Sequence, residues 1–290
     1  MIAYLSLLFV GIVWGSTFIV VKDSLTFIDP FVIITLRFIV ASVILYAIVR
    51  IKKLNIADHI KLGIISGTVQ FCTFVPQVVG LKYTSPTNSA FITGLYILFV
   101  PLARYLLQKK LPKKSELLAC IVAITGLWIM TGGVHNLNIG DWITFGTAIA
   151  IAFYITISAI AVKKGANPIV LTFHQMWVTA ALGGICALLR HSHFYTPNYS
   201  VYLSMIYLGI FASAIGFLIQ NIMLKKVNLI IASILLGTEP LFALIFSWIL
   251  KYEPIHVTKI IGGLVIFSAI ILPDIIKKLK KTMLNKLRLK

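Results

Sequence analysis

The sequence predicts an all-α polytopic membrane protein with ten transmembrane helices, arranged as two inverted five-helix repeats. Hydrophobic residues make up 59% of the 290 residues and charged residues 12%. Apolar runs of about 20 residues, long enough to cross a bilayer, recur along the chain. The polar and helix-breaking positions of the second half also echo those of the first. Because a soluble domain needs about 25% charged residues to cover its surface, a soluble globule is excluded.

Ten apolar runs bounded by charged residues, prolines or glycines are predicted to be membrane-spanning helices. Their connections are short, which leaves little room for a soluble domain. The first run is preceded by no basic segment, so we expect a retained helix and not a signal peptide. The predicted spans are Ile2 to Val21, Phe31 to Val49, Leu62 to Leu81, Thr87 to Leu107, Leu117 to Gly133, Trp142 to Val162, Ile169 to Leu189, Val201 to Leu224, Val227 to Leu250 and Ile260 to Ile276.

The distribution of basic residues predicts how these helices are oriented. The chain has 26 Lys and Arg against 8 Asp and Glu, and most of the basic residues lie in short clusters between apolar runs. Cytoplasmic connections of membrane proteins are enriched in Lys and Arg. With both termini cytoplasmic, thirteen basic residues fall in inner connections and five in outer ones, before the tail is counted. We therefore expect an integral protein of the plasma (bacterial inner) membrane, and no nucleic-acid partner.

An internal repeat relates the two halves at an offset near 140 residues. Asp29 and Pro30 before the second span match Asn167 and Pro168 before the seventh, and further matches pair Phe74 with Phe217 and Gln77 with Gln220. Since each repeat has five helices, the second must enter the membrane from the opposite side, an arrangement that secondary transporters use for alternating access. The predicted division is residues 1–134, residues 140–276 and a tail of residues 277–290.

The tail carries apolar residues at helical spacing with lysines between them. This pattern predicts an amphipathic helix lying on anionic membrane lipid. A solvated basic tail is the alternative.

Several short motifs resemble those of the EamA-type drug/metabolite transporter family. They are Trp14 to Lys22 in the first helix, Arg37 in the second, and Gly237 to Pro240 followed by Lys251 to Pro254 around the ninth. The resemblance extends over essentially all ten helices. It implies a carrier of small metabolites, often amino acids, with a central cavity lined chiefly by helices 1, 3, 4, 6, 8 and 9. The first repeat departs from the family pattern at Lys110, where the closing Glu is replaced.

Glu239 is a candidate for coupling because it lies near the middle of the ninth span, where a charge is costly. A buried acid there favours its neutral form, which would allow it to carry a proton. The following residue, Pro240, removes a backbone hydrogen bond and frees the Leu236 carbonyl to face a cavity. The alternative for Glu239 is a neutral acid hydrogen-bonded to a neighbouring helix.

Two basic residues are further candidates for coupling or gating. Arg37 lies about two turns inside the second span, where it either snorkels to the interface, pairs with Glu239 or clamps a substrate carboxylate. Lys22 ends the first helix and is either an interfacial cation or a gate or substrate contact.

Eight residues are predicted to contact a substrate. Gln77, Gln220 and Asn221 are able to hydrogen-bond a polar ligand near the repeat axis, with interhelical bonding as the alternative. The others are aromatic residues on helices that the family resemblance assigns to the cavity, with packing as the alternative. The predicted substrate contacts are Trp14, Phe74, Gln77, Tyr96, Tyr154, Phe217, Gln220 and Asn221.

The sequence lacks the motifs of ATP hydrolysis and of membrane proteolysis. It contains no GxxxxGK[ST], HExxH or GxSxG motif, its three cysteines occur singly, and His191 and His193 have no evident third metal ligand. We therefore expect no cofactor, no metal and no enzymatic activity.

The predicted function is a secondary transporter of a small metabolite, with an amino acid or derivative as the favoured substrate, working by alternating access. The alternative is an intramembrane enzyme acting on a lipid-linked substrate, which would require paired acids or a nucleophile in one cavity. The family resemblance suggests export, but some relatives import, so the direction of transport stays open. Proton coupling and a homodimer stay open.

Overall fold

Helices make up the regular secondary structure of the described chain in the computed structural model, which covers residues 2–131, 137–250, 257–258, 260–266, 268–269, 272 and 276. Within these residues, eight segments are long and apolar enough to cross a membrane, with mean hydropathies of 1.4 to 2.6. Large apolar side chains project outward from them, including Val43, which is 63% exposed, and Leu203, which is 67% exposed. Such a surface suits lipid and not water. The protein is therefore an all-α integral membrane protein, as predicted.

The five predicted spans of the first half correspond to six helices. These are α1 (Ile2–Ser24), α2 (Pro30–Ile51), α3 (Ile60–Leu81), α4 (Pro86–Gly94), α5 (Tyr96–Gln108) and α6 (Lys114–Thr131). The fourth predicted span is one segment long and apolar enough to cross a membrane, Pro86–Gln108, but it is not one unbroken helix, because the chain between α4 and α5 tightens into a turn. There, the Leu95 N–H donates to the Ile92 carbonyl at 3.2 Å and the Leu95 carbonyl accepts from Leu98 at 3.0 Å.

The second half contains two further interruptions of predicted helices. Its helices are α7 (Ile139–Lys163), α8 (Pro168–Leu189), α9 (Tyr199–Tyr207), α10 (Gly216–Leu224), α11 (Leu229–Leu236) and α12 (Glu239–Ile249), with a π-helical segment (Leu208–Ile215) joining α9 to α10. The eighth and ninth predicted spans are therefore not single α-helices. Between α11 and α12 the cause is local, because Pro240 has no N–H to offer the Leu236 carbonyl.

Part of the predicted tenth span also lies within the described chain. Residues 260–266 and 268–269 are helical, and Gly262 approaches Gly126 of α6, where an added Cβ would meet the Gly262 carbonyl at 2.7 Å. The Lys251 to Pro254 motif and the predicted amphipathic tail lie outside the described residues.

Equivalent caps start the second helix of each half. Asp29 accepts a hydrogen bond from the Phe31 N–H, and Asn167 accepts one from the Ile169 N–H, both at 2.9 Å. In both cases proline occupies the first helical position, where a missing N–H costs nothing and the fixed φ suits the helix. The same chemistry therefore begins α2 and α8.

Small residues allow helices of the two halves to approach closely. An added Cβ on Gly15 of α1 would meet the Ala243 nitrogen of α12 at 2.8 Å, and one on Gly63 of α3 would meet His174 of α8 at 2.5 Å. α2 and α8 are also in contact, since the centroids of the Tyr46 and Phe173 rings lie 5.7 Å apart. Elements of one half thus pack mainly against elements of the other, so the centre of the bundle lies between the halves.

At one end of the bundle, called here the Lys22 end, α1 is fastened to the end of α3. The Lys22 ammonium donates to the carbonyls of Leu81 at 2.8 Å, Lys82 at 3.2 Å and Thr84 at 2.8 Å. A cation at a helix C-terminus also complements the helix dipole. The Thr84 hydroxyl in turn donates to Asp141 in the first turn of α7. One network of hydrogen bonds therefore joins α1, the end of α3 and the start of α7.

At the opposite end, called the Asp58 end, the connection before α3 is fastened to the start of α8. The Asp58 carboxylate accepts from the Asn167 N–H at 2.8 Å and contacts the His59 ring nitrogen at 2.6 Å. Burial raises the pKa of Asp58, but these two hydrogen bonds and the charges of His59 and His174 together outweigh burial and leave the pKa below its ordinary value. On α8, His174 bonds the Ile56 carbonyl at 2.7 Å.

Glu116 makes a second link between the halves at the Asp58 end. Its carboxylate accepts from the Asn228 side chain at 3.0 Å, from the Lys113 N–H at 2.9 Å and from Arg104 at 3.3 Å. Because Asn228 also caps α11, the beginnings of α6 and α11 are held together. This buried acid has a structural role.

The close contact of α3 with α7 at the Lys22 end predicts that alanine substitutions at two glycines of α7 will differ in their effect on stability. An added Cβ on Gly140 would meet the Gly80 carbonyl at 2.5 Å, whereas one on Gly146 would meet Pro76 at an ordinary 3.5 Å. We expect Gly140→Ala to lower the free energy of unfolding by about 1–3 kcal/mol through overpacking. Gly146→Ala should leave it nearly unchanged. Thermal unfolding of the purified variants measures the difference, and equal melting temperatures would contradict the contact.

Candidate functional site

A central cavity lies between the two halves. Side chains from both halves line it. Seven of the eight predicted substrate contacts are among them, together with Arg37 and Glu239. The described lining residues are Trp14, Thr17, Arg37, Gln70, Thr73, Phe74, Gln77, Tyr96, Ile151, Tyr154, Ile155, Phe217, Gln220, Leu236 and Glu239.

Phe217 on α10 is the centre of the aromatic part of the wall. Its ring centroid lies 4.8 Å from that of Trp14, 5.8 Å from Tyr154 and 6.1 Å from Phe74, so one ring joins α1, α3 and α7. Edge-to-face and tilted contacts of this kind stabilise aromatic clusters beyond their buried area. The cavity therefore has a stiff apolar wall suited to the apolar part of a ligand.

Two of the aromatic residues are also oriented by hydrogen bonds between the halves. The Trp14 Nε1 donates to the Ala212 carbonyl in the π-helical segment at 2.8 Å, and the Tyr96 hydroxyl donates to the Ser233 carbonyl of α11 at 2.9 Å. Both acceptors lie in or beside irregular stretches of helix. The interruptions of the predicted helices thus position groups that line the cavity.

Arg37 lies in the cavity wall and does not reach the membrane interface. Its side chain is buried, its Nε donates to the Ser213 hydroxyl at 3.1 Å, and its guanidinium carbon lies 4.8 Å from the Phe74 ring centroid. Among the described residues it forms no ion pair with Glu239. Snorkelling and an Arg37–Glu239 pair are therefore not observed.

Glu239 begins α12 directly after the break in the helix, and its carboxyl group is buried at the cavity. In the part of the chain that the structure describes, this carboxyl group has neither an ion-pair nor a hydrogen-bond partner. Leu236, whose carbonyl Pro240 cannot bond, lines the same cavity. The hydrogen-bonded structural role considered for Glu239 is thus not observed.

Gln175 organises a buried polar network between the cavity and the Asp58 end. It donates to Ser66 at 3.2 Å and to Ser158 at 2.9 Å, and it accepts from the Tyr154 hydroxyl at 3.3 Å and from Asn221 at 2.8 Å. Both donors and both acceptor positions of its amide are therefore used. Because Tyr154 also lines the cavity, this network fixes one side of the wall.

Two predicted site residues lie outside the central cavity. Asn221 is fully buried next to it, where it donates to Thr172 at 2.8 Å as well as to Gln175. Lys22 lies at the end of the bundle on the three carbonyls described above. Asn221 thus belongs to the interhelical network, and Lys22 contacts protein carbonyls in this structure.

Six of the lining residues were not predicted: Thr17, Gln70, Thr73, Ile151, Ile155 and Leu236. Helical spacing could have found most of them. Residues 70, 73, 74 and 77 share one face of α3, and residues 151, 154 and 155 share one face of α7. Leu236 was named only for its carbonyl. Ser213, which orients Arg37, had no signal in the sequence.

Two further spaces lie between the central cavity and the Lys22 end of the bundle. A side cavity of about 210 Å³ shares Thr17, Arg37 and Gln77 with the central cavity and extends to Leu81. A groove of about 850 Å³ lies beyond it and is lined by Lys22 and Thr84. The contact of Lys22 with the Leu81 carbonyl therefore lies between the groove and the side cavity.

Comparison with known proteins agrees with this architecture. An uncharacterised transporter of Archaeoglobus fulgidus is 30% identical over 277 residues, which cover 93% of this chain and 85% of the relative. The uncharacterised transporter YyaM of Bacillus subtilis is 29% identical over 285 residues, 92% of each chain. One solved crystal structure has the same fold, with a TM-score of 0.78 at 17% identity over 94% of this chain and 96% of that one.

The family assignment rests on both halves of the chain. The model of the EamA-like transporter family matches residues 1–132 and, a second time, residues 138–273. These matches cover the helices that build the cavity. The chain therefore belongs to the EamA-like transporter family.

Proposed function

We propose that the protein is a secondary transporter that carries a small amphiphilic metabolite, an amino acid or a derivative, by alternating access. The observation that carries this proposal is the central cavity, which combines an aromatic wall with two ionisable groups, the guanidinium of Arg37 and the carboxyl group of Glu239. A ligand with an apolar part and a charged part matches both features. Glu239 is the one acidic side chain among the described lining residues, so the paired acids required by the enzyme alternative are not seen there.

Alternating access follows if residues 1–134 and 140–276 are inverted repeats, and several features support this. The family model matches each half separately, and α2 and α8 begin with equivalent caps. Gly94, the last residue before the break at Leu95, corresponds to Gly237, the first residue of the break between α11 and α12, at the offset that also relates Gln77 to Gln220. Two such halves can exchange conformations and open the cavity to either side in turn.

The transporter proposal predicts counterflow. Members of a metabolite panel that raise the melting temperature of the purified protein identify ligands, since a ligand at 100 times its Kd stabilises by about 2.7 kcal/mol. Proteoliposomes loaded with such a ligand should then take up the labelled ligand faster than empty ones, because a loaded carrier returns faster. Uptake that is indifferent to the internal solute would indicate a channel. Absence of both stabilisation and uptake across the panel would refute the proposal.

We further propose that the Lys22 end faces outward, with both termini cytoplasmic in the plasma membrane, and that Lys22 gates this end. The excess of basic residues in the connections of the Asp58 end supports the orientation. The gate is supported by the position of Lys22 between the groove and the side cavity, where it holds α1 to α3. Release of these bonds would join the two spaces.

Labelling of intact cells with an impermeant thiol reagent tests both statements in a cysteine-free background. A cysteine at Asn88, exposed in the groove, should be labelled from outside, whereas a cysteine at Gln77 in the cavity should be protected. Lys22→Met should increase labelling at position 77 several-fold, because the bonds to three carbonyls are lost. Lys82→Met, which changes a lysine of the same groove, is the matched control.

Two results would contradict this prediction. Protection of the cysteine at position 88 in cells, together with its labelling in inverted vesicles, would reverse the orientation. Unchanged labelling at position 77 in Lys22→Met would show that Lys22 is not a gate.

Glu239 is our candidate for proton coupling. A carboxylate in a membrane interior costs several kcal/mol unless it is compensated. The described structure shows no bonded partner for it, so the neutral acid is favoured when the cavity is empty. Glu239 would then gain or lose a proton when a ligand enters the cavity or when the cavity opens to the other side of the membrane.

Glu239→Gln separates coupling from a structural role, because Gln mimics the neutral acid in size and polarity. We expect ligand binding and melting temperature to be retained, while the stimulation of flux by an imposed pH gradient is lost. Proteoliposome flux with and without the gradient measures this. Asp23→Asn, which changes an exposed acid at the end of α1, is the control. Gradient-driven flux that persists in Glu239→Gln would exclude the proton-carrier role.

A further inference from the structure

Arg37 has hydrogen-bond donors to spare. A guanidinium group carries five N–H donors and remains charged in proteins. Its Nε donates to Ser213, but among the described residues the two terminal nitrogens have no hydrogen-bond partner, although the side chain is only 3% exposed. Arg37 lines both the central and the side cavity. The terminal donors are therefore available to a ligand with acceptor oxygens that enters these cavities.

The surroundings of Arg37 hold the guanidinium in place without neutralising it. Its carbon lies 4.8 Å from the Phe74 ring centroid and 5.1 Å from that of Phe38. These two rings meet edge to face at 4.8 Å. Both contacts are of cation–π type and leave the N–H groups free. The donors are therefore oriented before any ligand arrives, which reduces the cost of binding one.

The equivalent residue of the other half shows the contrast. Arg37 is seven residues after Pro30 at the start of α2, and Gln175 is seven residues after Pro168 at the start of α8. All four hydrogen-bonding positions of the Gln175 side chain are used within the protein. At equivalent positions of the two halves, Gln175 therefore has all its hydrogen bonds within the protein, whereas the terminal nitrogens of Arg37 have none among the described residues.

We propose that Arg37 is the binding position for a carboxylate group of the transported solute, an inference that rests on the transport function proposed above. The planar fork of a guanidinium matches the two oxygens of a carboxylate or a phosphate. A monoanion neutralises the single guanidinium. A phosphate dianion would leave an uncompensated negative charge in the membrane interior, where such a charge is costly. The carboxylate is therefore the better match.

The test uses solutes that differ in the carboxylate alone. Purified full-length protein is titrated with the common amino acids, their carboxamides and the corresponding 2-oxo acids, and Kd is obtained from thermal stabilisation. We expect at least one carboxylate series to bind, with its carboxamide at least tenfold weaker. Arg37→Gln should remove this tenfold difference, and Arg37→Lys, which keeps the charge but not the fork, should retain part of it.

Controls separate a loss of recognition from a loss of folding. Arg50→Gln changes an exposed arginine of the same helix and should keep the full preference for the carboxylate. Ser213→Ala, which removes the acceptor of the Arg37 Nε, should weaken the preference several-fold, and its melting curve shows whether the variant still folds. If Arg37→Gln does not fold, the wild-type ligand series and Ser213→Ala still show whether Arg37 binds the carboxylate.

Carboxamides that bind as tightly as their parent acids would overturn the assignment, as would a full preference retained in Arg37→Gln. If solutes without a carboxylate are bound and show counterflow while no carboxylate is bound, only the Arg37 assignment fails. If no panel solute is bound or transported, the transport proposal fails, and the Arg37 assignment fails with it.

Discussion

The structure depends on the need to satisfy polar groups where water is absent. A membrane interior offers no hydrogen bonds, so each buried donor and acceptor must find a partner inside the protein. Most buried polar side chains here do so, as with Gln175, Glu116 and Thr179. These partners come from other helices, so the polar groups also determine which helices meet. Against this background, Arg37 and Glu239 stand out, because the terminal donors of Arg37 and the carboxyl group of Glu239 have no hydrogen-bond partner among the described residues.

Much of this architecture could be predicted from the sequence, because length and hydropathy determine whether a segment spans a bilayer. The predicted spans coincide with helices throughout the described chain, and the repeat-related pair Gln77 and Gln220 lies at one cavity. The family resemblance identified the helices that line it. These successes share a cause, since hydropathy and internal repetition are properties that a sequence displays directly.

The breaks in the helices and the partners of the charged groups were harder to foresee. Apolar residues run through the break at Leu95 and through the π-helical segment without any change in composition, so periodicity cannot detect them. The partners of Arg37 and Lys22 are a serine hydroxyl and three carbonyls from distant parts of the chain. Such contacts depend on tertiary packing, and carbonyls, which every residue has, leave no trace in a sequence.

The π-helical segment has a consequence for the helix that follows it. Its i to i+5 hydrogen bonds make each turn wider than an α-helical turn, so the residues of α10 are out of phase with those of α9. The face that carries Phe217 and Gln220 is therefore directed by the segment before it and not by the register of α9. If these eight residues tightened into ordinary α-helix, α10 would turn about its own axis and present other side chains. A change of winding within one helix could thus alter the chemistry of the wall while the ends of the bundle stay in place.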